Sequence, residues 1–280
     1  MKKFLKLLII FLIKQIILFA PQKNMASHLY RIKLFVLVQF QKIMMQRVRT
    51  ETYKGHMLKF TVPSYLSDWR AQTFTTKEPE TLDWIDSMVD GCILWDVGAN
   101  IGVYSLYAAQ CKDAKVFAFE PSLFNLELLA RNIYLNNLHE NIAIAPIALS
   151  DKTNFGSIKM TSTEMGSALA TFGEDFGWDG QKIKHNFTFK TIGMTMDDAA
   201  SYLQIPLPNY IKIDVDGLEH LILLGGQKVL AQVDEVLIEV NDDFIQQAEG
   251  VSKALTNCGL TLVDKRHSPE EFSDGLDVQA

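Results

Sequence analysis

The chain has 280 residues, 48% of them hydrophobic, and a formal net charge of -6. That much apolar material fills one sizeable core, or at most two small ones, and excludes a disordered or collagen-like chain. Its three cysteines, Cys92, Cys111 and Cys258, form no CxxC pair, which argues against a disulfide framework or a cysteine zinc site and favours a reducing compartment.

The charge is unevenly placed. Residues 1–50 hold 10 Lys or Arg and no Asp or Glu, so an arm of +10 precedes a body of -16. An acidic body argues against binding of a nucleic-acid backbone. Within the arm, residues 4–20 read FLKLLIIFLIKQIILFA and are broken by Lys6, Lys14 and Gln15, whereas a membrane span needs about 20 mostly apolar residues. On a helix, Lys2, Lys3, Lys6 and Lys14 fall within roughly one third of the circumference, opposite a wide apolar face. That pattern suits a helix lying on a membrane surface on the cytoplasmic side. Packing of this helix and of the apolar stretch from Leu29 to Val48 on the body or on a second subunit is the plainer alternative. An uncleaved anchor and, less well supported, a cleaved signal stay open. The expected division is a basic helical extension over 1–50 and one domain over 51–280.

From about residue 80 the apolar spacing alternates between two periods. Thr81 to Met88 predicts a helix, Cys92 to Val97 a buried strand, Val103 to Gln110 a helix, and Lys115 to Phe119 a second strand. Leu123 to Asn136 predicts a helix and Asn141 to Ile147 a third strand. Short alternating runs in 152–194, such as Asn186 to Ile192, predict an antiparallel excursion. Trp178, Phe172 and Phe176 in it are candidates to line an acceptor pocket, or equally to form a small apolar cluster. Tyr210 to Val215 predicts a fourth strand, Gly217 to Ala231 a helix, and Glu235 to Val240 a fifth strand. Strands alternating with helices imply βαβ units and a largely parallel sheet, with ligands bound beyond the carboxyl ends of the strands.

Each of four strands leaves on a carboxylate, in WDVGANIG, FAFEPS, IKIDVDGLE and LIEVNDD, the last running from Leu237 to Asp243. Acids gathered round one crevice repel one another unless cations or hydroxyl donors sit among them. Gly98 and Gly102 allow a sharp turn close to a ligand, and Asn100 tolerates unusual backbone conformations. Alone this turn is a weak signal. With Glu120, 18 residues past Gly102 and placed to accept two ribose hydroxyls, it becomes a nucleotide signal. A dinucleotide site would want G-x-G-x-x-G and no carboxylate directly before the turn. Asp96 stands there instead, which favours the ammonium and sulfonium of S-adenosylmethionine.

At these residues the chain resembles the FkbM family of S-adenosylmethionine-dependent methyltransferases, over about Glu78 to Val240. DVGANIG, FAFEPS, RNIYLNN, IALSD, TMDD, IKIDVDGLEHLILLGG and EVLIEV follow in order. The resemblance implies a class I, Rossmann-like methyltransferase fold: an α/β, doubly wound, mostly parallel seven-stranded sheet. It implies S-adenosylmethionine as cofactor, with Asp96, Gly98, Asn100 and Gly102 around its methionine part, Glu120 on its ribose, and Ser150 and Asp151 toward its adenine. The family has Glu where this chain has Asp216. O-methylation of a small-molecule, glycan or lipid hydroxyl is the implied activity.

Methyl transfer to a hydroxyl needs alignment and a proton acceptor. Asp214 is the first candidate base, against a positioning or helix-capping role; Glu219 is the second, against an ordinary carboxylate in a first helical turn. Asp216 reads as a helix cap. His220 and His267 have no identifiable partner and are not assigned. Asp214 with Asn241 and Asp242 does not have diagnostic metal spacing, so no metal site is assigned. Two other function classes stay in view: an NAD(P)-dependent oxidoreductase and a non-catalytic, membrane-attached cofactor-binding module.

Overall fold

The structure, a computed structural model, describes residues 28–266. The helix expected over 4–20 and His267 lie outside them. The chain divides after Met45 into two units. In the first, the described part is one helix, α1 (His28–Met45), with no acid in its first turn and Lys42 in its last.

The second unit opens with a hairpin, β1 (Val48–Tyr53) and β2 (His56–Thr61). Its turn residues Lys54 and Gly55 both have positive φ, 48° and 87°, the backbone of a two-residue hairpin whose twist matches its strands. The next helix, α2 (Tyr65–Gln72), starts on a capping box: Ser67 N–H donates to Ser64 Oγ and Ser64 N–H to Ser67 Oγ, each at 3.1 Å, which satisfies two orphan donors. Pro79 then opens α3 (Pro79–Ser87) at a position where its missing N–H costs nothing.

Five parallel strands follow: β3 (Ile93–Val97), β4 (Lys115–Phe119), β5 (Ile142–Ala145), β10 (Tyr210–Ile213) and β11 (Glu235–Ile238), in the order β11-β10-β3-β4-β5. Helices α4 (Val103–Lys112) and α5 (Leu123–Leu135) make the crossovers from β3 to β4 and from β4 to β5. All four residues of β10 are buried, as a strand covered on both faces requires. One face packs Leu82, Leu106, Tyr107 and Leu129 with Leu58 and Phe60 of the hairpin. The other packs Trp95, Phe119, Ile213, Ile222 and Val229 with Val251. Each such buried side chain contributes roughly 1.5–3 kcal/mol, so both layers are needed to hold the sheet.

The sheet has five strands among the described residues, where seven were expected. After β11 the chain enters α9 (Ile245–Asn257), and residues 260–266 take no strand conformation. The helix expected over 217–231 is also divided, into α7 (Glu219–Leu224) and α8 (Gln227–Leu230). A Cβ on Gly225 would lie 2.4 Å from the Ser150 carbonyl oxygen, and one on Gly226 2.0 Å from Met196 Cε. The helix breaks there because another segment passes against its backbone.

The excursion between β5 and β10 is a second sheet, β6 (Ala148–Leu149), β7 (Asn154–Met160), β8 (Ala170–Phe172) and β9 (Phe187–Met194), ordered β6-β9-β7-β8. Its β7 pairs antiparallel with both β8 and β9. Helix α6 (Met196–Tyr202) then starts on Thr195, whose Oγ1 accepts the Asp198 N–H at 3.0 Å.

Candidate active site

Strand order reverses at β3, because β4 and β5 lie on one side of it and β10 and β11 on the other. The crevice beyond this switch point is where an open α/β sheet binds its ligand. Beyond β3 the chain turns through Gly98, Asn100 and Gly102, with φ of 85°, 51° and 85°, into α4. A Cβ on Gly98 would stand 1.9 Å from the Asp214 carbonyl oxygen. Glycine is therefore what lets the turn lie against the end of β10.

Glu120, just past β4, is buried. Its Oε2 accepts the Asn100 N–H at 2.8 Å and its Oε1 the Ser122 N–H at 2.7 Å. Burial nevertheless pushes its pKa up to about 7. A carboxylate offers about four acceptor positions, so hydroxyls can still bind beside these two amides.

A cleft lies at the switch point, lined in part by Arg70, Lys77, Glu78, Asp96, Asn100 and Asp214. Asp96 Oδ2 accepts the Ser105 hydroxyl at 2.5 Å. Its buried Oδ1 has no hydrogen-bond partner among the described residues. Lys212, buried in the middle of β10, donates to Asp214 Oδ2 at 2.9 Å and lies 5.0 Å from the Tyr104 ring centroid, a cation–π distance. Burial alone would lower the Lys212 pKa, but the charges of Asp214, Glu78 and Asp96 outweigh it and raise it. Burial would likewise raise Asp214, yet Lys212 and a hydrogen bond from Glu239 hold it well below the usual carboxylate range. Glu239 is raised, first by the Asp214 charge and then by burial. Of these two acids at neighbouring strand ends, Asp214 is the ion and Glu239 keeps the proton.

Residues 165–169 strap the glycine turn. The Ser167 carbonyl accepts from Asn100 Nδ2 at 3.0 Å and Asn125 Nδ2 at 3.1 Å, and Gly166 N–H donates to Asn125 Oδ1 at 3.0 Å. On the other flank Leu169 N–H donates to Asp216 Oδ2 at 2.7 Å. Asp216, at φ 59°, is pushed up to about 6 by burial and the nearby Asp214. The excursion therefore reaches the site through its backbone. Its expected aromatic residues do not line the cleft. Phe172 fills the space over Gly156 and Gly193, Phe176 stacks on His220, and Trp178 is exposed.

The structure brings Asp96, Gly98, Asn100 and Asp214 to one cleft, with Glu120 bonded to the Asn100 N–H. Glu219 does not join them. It is buried, and its carboxylate accepts the N–H groups of Val215 and Gly217 and the Gln247 amide, so it braces the loop after β10. Ser150 and Asp151 do not join either. They follow β6 in the second sheet, where Ser150 Oγ donates to Asp151 Oδ1 at 3.1 Å and Ser150 packs against Gly225. His220 lies between Phe176 and Phe244, with neither ring nitrogen partnered among the described residues. Of the conjectured metal ligands, Asp242 pairs with Lys265 at 2.6 Å and Asn241 Oδ1 accepts the Asp243 N–H.

Arg70, Lys77, Glu78, Tyr104 and Lys212 were not singled out in the sequence. Lys212 carried a signal, a lysine inside the otherwise apolar run YIKI. The others stand before or beside the motifs with no spacing of their own.

A glycine turn at the switch point, a buried glutamate ending the next strand, and a cleft of mixed charge define a nucleotide-dependent enzyme of the Rossmann-like class. Residues 96–262 match the sequence model of the methyltransferase FkbM domain. The chain belongs to the FkbM methyltransferase family, whose cofactor is S-adenosylmethionine. It is 25% identical over 222 residues to the hexuronic acid methyltransferase AglP of Haloferax volcanii, covering 79% of this chain and 85% of that one. Among solved structures it is similar to the methyltransferase FkbM of Methylobacillus flagellatus KT, with a TM-score of 0.43 and 16% identity over 61% of this chain. It spans 38% of the length of that protein. The S-adenosylmethionine-dependent methyltransferase of Agrobacterium tumefaciens is similar at a TM-score of 0.40 and 9% identity, over 74% of this chain and 58% of that one.

Proposed function

We propose that this chain transfers a methyl group from S-adenosylmethionine to a hydroxyl of a glycan. The observation that carries the reading is the buried Asp96 Oδ1 beside the Gly98 turn, without a partner among the described residues, with Glu120 bonded to the Asn100 N–H of the same turn. A buried carboxylate oxygen without a donor is costly, and an ammonium group satisfies it. The ribose diol is assigned to Glu120, and the close approach of backbone to ligand to Gly98, Asn100 and Gly102. The residues present therefore fit the group that the family implies. A glycan acceptor is inferred from the AglP relative, which acts on a hexuronic acid.

The donor supplies an electrophilic methyl carbon on a sulfonium sulfur. An acceptor oxygen forms the new C–O bond as the C–S bond breaks, which leaves S-adenosylhomocysteine and one proton to be removed. Asp214, the ionised carboxylate that lines the cleft, takes that proton late, once formation of the C–O bond has made the acceptor oxygen an oxonium acidic enough to protonate a carboxylate held below its usual range. Lys212 keeps it ionised, and Glu219 holds the loop behind it. Correct alignment lowers such barriers by about 7–11 kcal/mol, and a positioned base contributes about a hundred- to ten-thousand-fold. Asp214→Asn is expected to lower kcat within that range while the affinity for S-adenosylhomocysteine, measured calorimetrically, stays near wild type. An unchanged kcat removes Asp214 from the chemistry. Binding of NADH with no response to S-adenosylhomocysteine would instead favour an oxidoreductase.

The boundary expected at residue 50 moves to Met45, because Val48, Arg49 and Thr50 pair with β2 in the second unit, and the proposed division is a catalytic domain after Met45 and a membrane-surface arm before it. Eight cations without an acid in residues 1–45, set among Leu, Ile and Phe, support an anionic lipid surface as the partner of the arm, while Arg47 and Arg49 pair with Asp68 in the second unit. Among the described residues no helix is long and apolar enough to cross a membrane.

A further inference from the structure

The cleft at the switch point holds three carboxylates, Glu78, Asp96 and Asp214, and three cations, Arg70, Lys77 and Lys212. Two pairs neutralise one another: Lys77 with Glu78 at 2.8 Å and Lys212 with Asp214 at 2.9 Å. The two groups left over have opposite sign. Asp96 keeps one buried oxygen without a hydrogen-bond donor. Arg70 has no carboxylate partner among the described residues; its Nε donates to the Gly166 carbonyl oxygen at 2.5 Å. Since a guanidinium carries five N–H donors, four remain after that bond. The charge of Arg70 is felt at both Glu120 and Asp216, lowering each against their burial, which places it beside the ribose position and the loop after β10.

A cleft with one buried carboxyl oxygen lacking a donor and one guanidinium lacking a carboxylate hydrogen-bond partner, among the described residues, is matched by a zwitterion. An α-amino acid brings an ammonium and a carboxylate a fixed short distance apart, and the methionine end of the donor is such a group. We infer that Arg70 anchors the α-carboxylate of S-adenosylmethionine while Asp96 accepts its α-ammonium. The inference rests on the methyl-donor reading and adds a binding residue to it. Arg70 lies on α2, outside the 96–262 segment that matches the family, so no motif points to it. Its planar fork suits bidentate recognition of a carboxylate. The bond to Gly166 fixes the fork in advance, so less side-chain freedom is lost on binding. The competing ligand is the carboxylate of an acidic sugar. A uronate would pair with Arg70 but leave Asp96 unmatched, and the geometry favours the zwitterion for that reason.

The test compares S-adenosylhomocysteine with its decarboxylated analogue, which differs only by the carboxylate, by calorimetric titration of the full chain. The wild type is expected to prefer S-adenosylhomocysteine by about tenfold to a hundredfold, the range of a hydrogen bond to a charged group. Arg70→Met is expected to bind both compounds alike, and Arg70→Lys to recover part of the preference. Equal weakening of both compounds in Arg70→Met, with the preference intact, would mean that Arg70 only braces the Gly166 carbonyl and overturns the inference. So would an intact preference joined to a raised KM for an acidic acceptor, which would assign Arg70 to the acceptor. A wild type that binds neither compound would overturn the methyl-donor reading itself.

Discussion

Glu120 is placed by two backbone N–H groups in a position from which water is largely excluded, and its pKa rises from the ordinary 4.5 to about 7. A raised carboxyl pKa means that the folded chain binds this proton more tightly than the unfolded one. The cost of burying the ion is then fully felt above pH 7 and fades as the pH falls from 7 toward 4.5. Ligand binding runs the other way. In the proposed site ribose hydroxyls would donate to the ionised carboxylate, so affinity for S-adenosylhomocysteine is expected to rise by about tenfold from pH 6 to pH 8, as one titrating group with a pKa near 7 requires. Glu120→Gln is expected to bind more weakly and with no such slope. A flat wild-type profile, read by calorimetry at both pH values, would remove Glu120 from the ribose. The place of Glu120 beside the turn was legible because acid and glycine turn keep their spacing in the sequence. The altered titration was not, because it comes from burial under segments far away along the chain.

At the scale of elements, the turn after β3 works only if it lies flat on β10. Gly98→Ala would set a Cβ against the backbone of Asp214, which cannot move without parting two paired strands. Gly102→Ala meets the Leu129 Cδ1 methyl at 2.5 Å, a side-chain tip that can rotate away. Both also bear a left-handed backbone cost of about 1–2 kcal/mol for a residue with a Cβ. Thermal melts are expected to show a clearly larger loss for Gly98→Ala; equal losses would mean that the contact with β10 is not what fixes the turn. The elements from β3 to α5 were readable from apolar periodicity within one or two residues, because each buries a regular face. The break between α7 and α8 was not, since it depends on Ser150 and Met196 passing close to Gly225 and Gly226. Arg70 and Lys77 escaped notice for a similar reason: only folding brings α2 and the segment after it to the cleft.

At the scale of the molecule, the charge of -6 averages a basic arm and an acidic body. The acids of the body include Asp96, Asp214 and Glu120, near the switch point where the proposed donor and its ribose would match them, with the charge of Lys212 felt by Asp96 and Asp214. The arm carries the opposite charge, and deletion of residues 1–24 is expected to move the protein from membrane to soluble fractions while donor affinity is kept. An unchanged distribution would favour packing of the arm on protein. The central claim is catalytic, and it is tested most directly by incubating the full chain with S-adenosylmethionine carrying a labelled methyl group and a hexuronate-bearing glycan, then weighing the glycan by mass spectrometry. The account predicts one labelled methyl group on a sugar oxygen with wild type, and loss of that product in Asp214→Asn while S-adenosylhomocysteine still binds. Undiminished product from Asp214→Asn, or no labelled product from wild type on any hydroxyl acceptor, would contradict it.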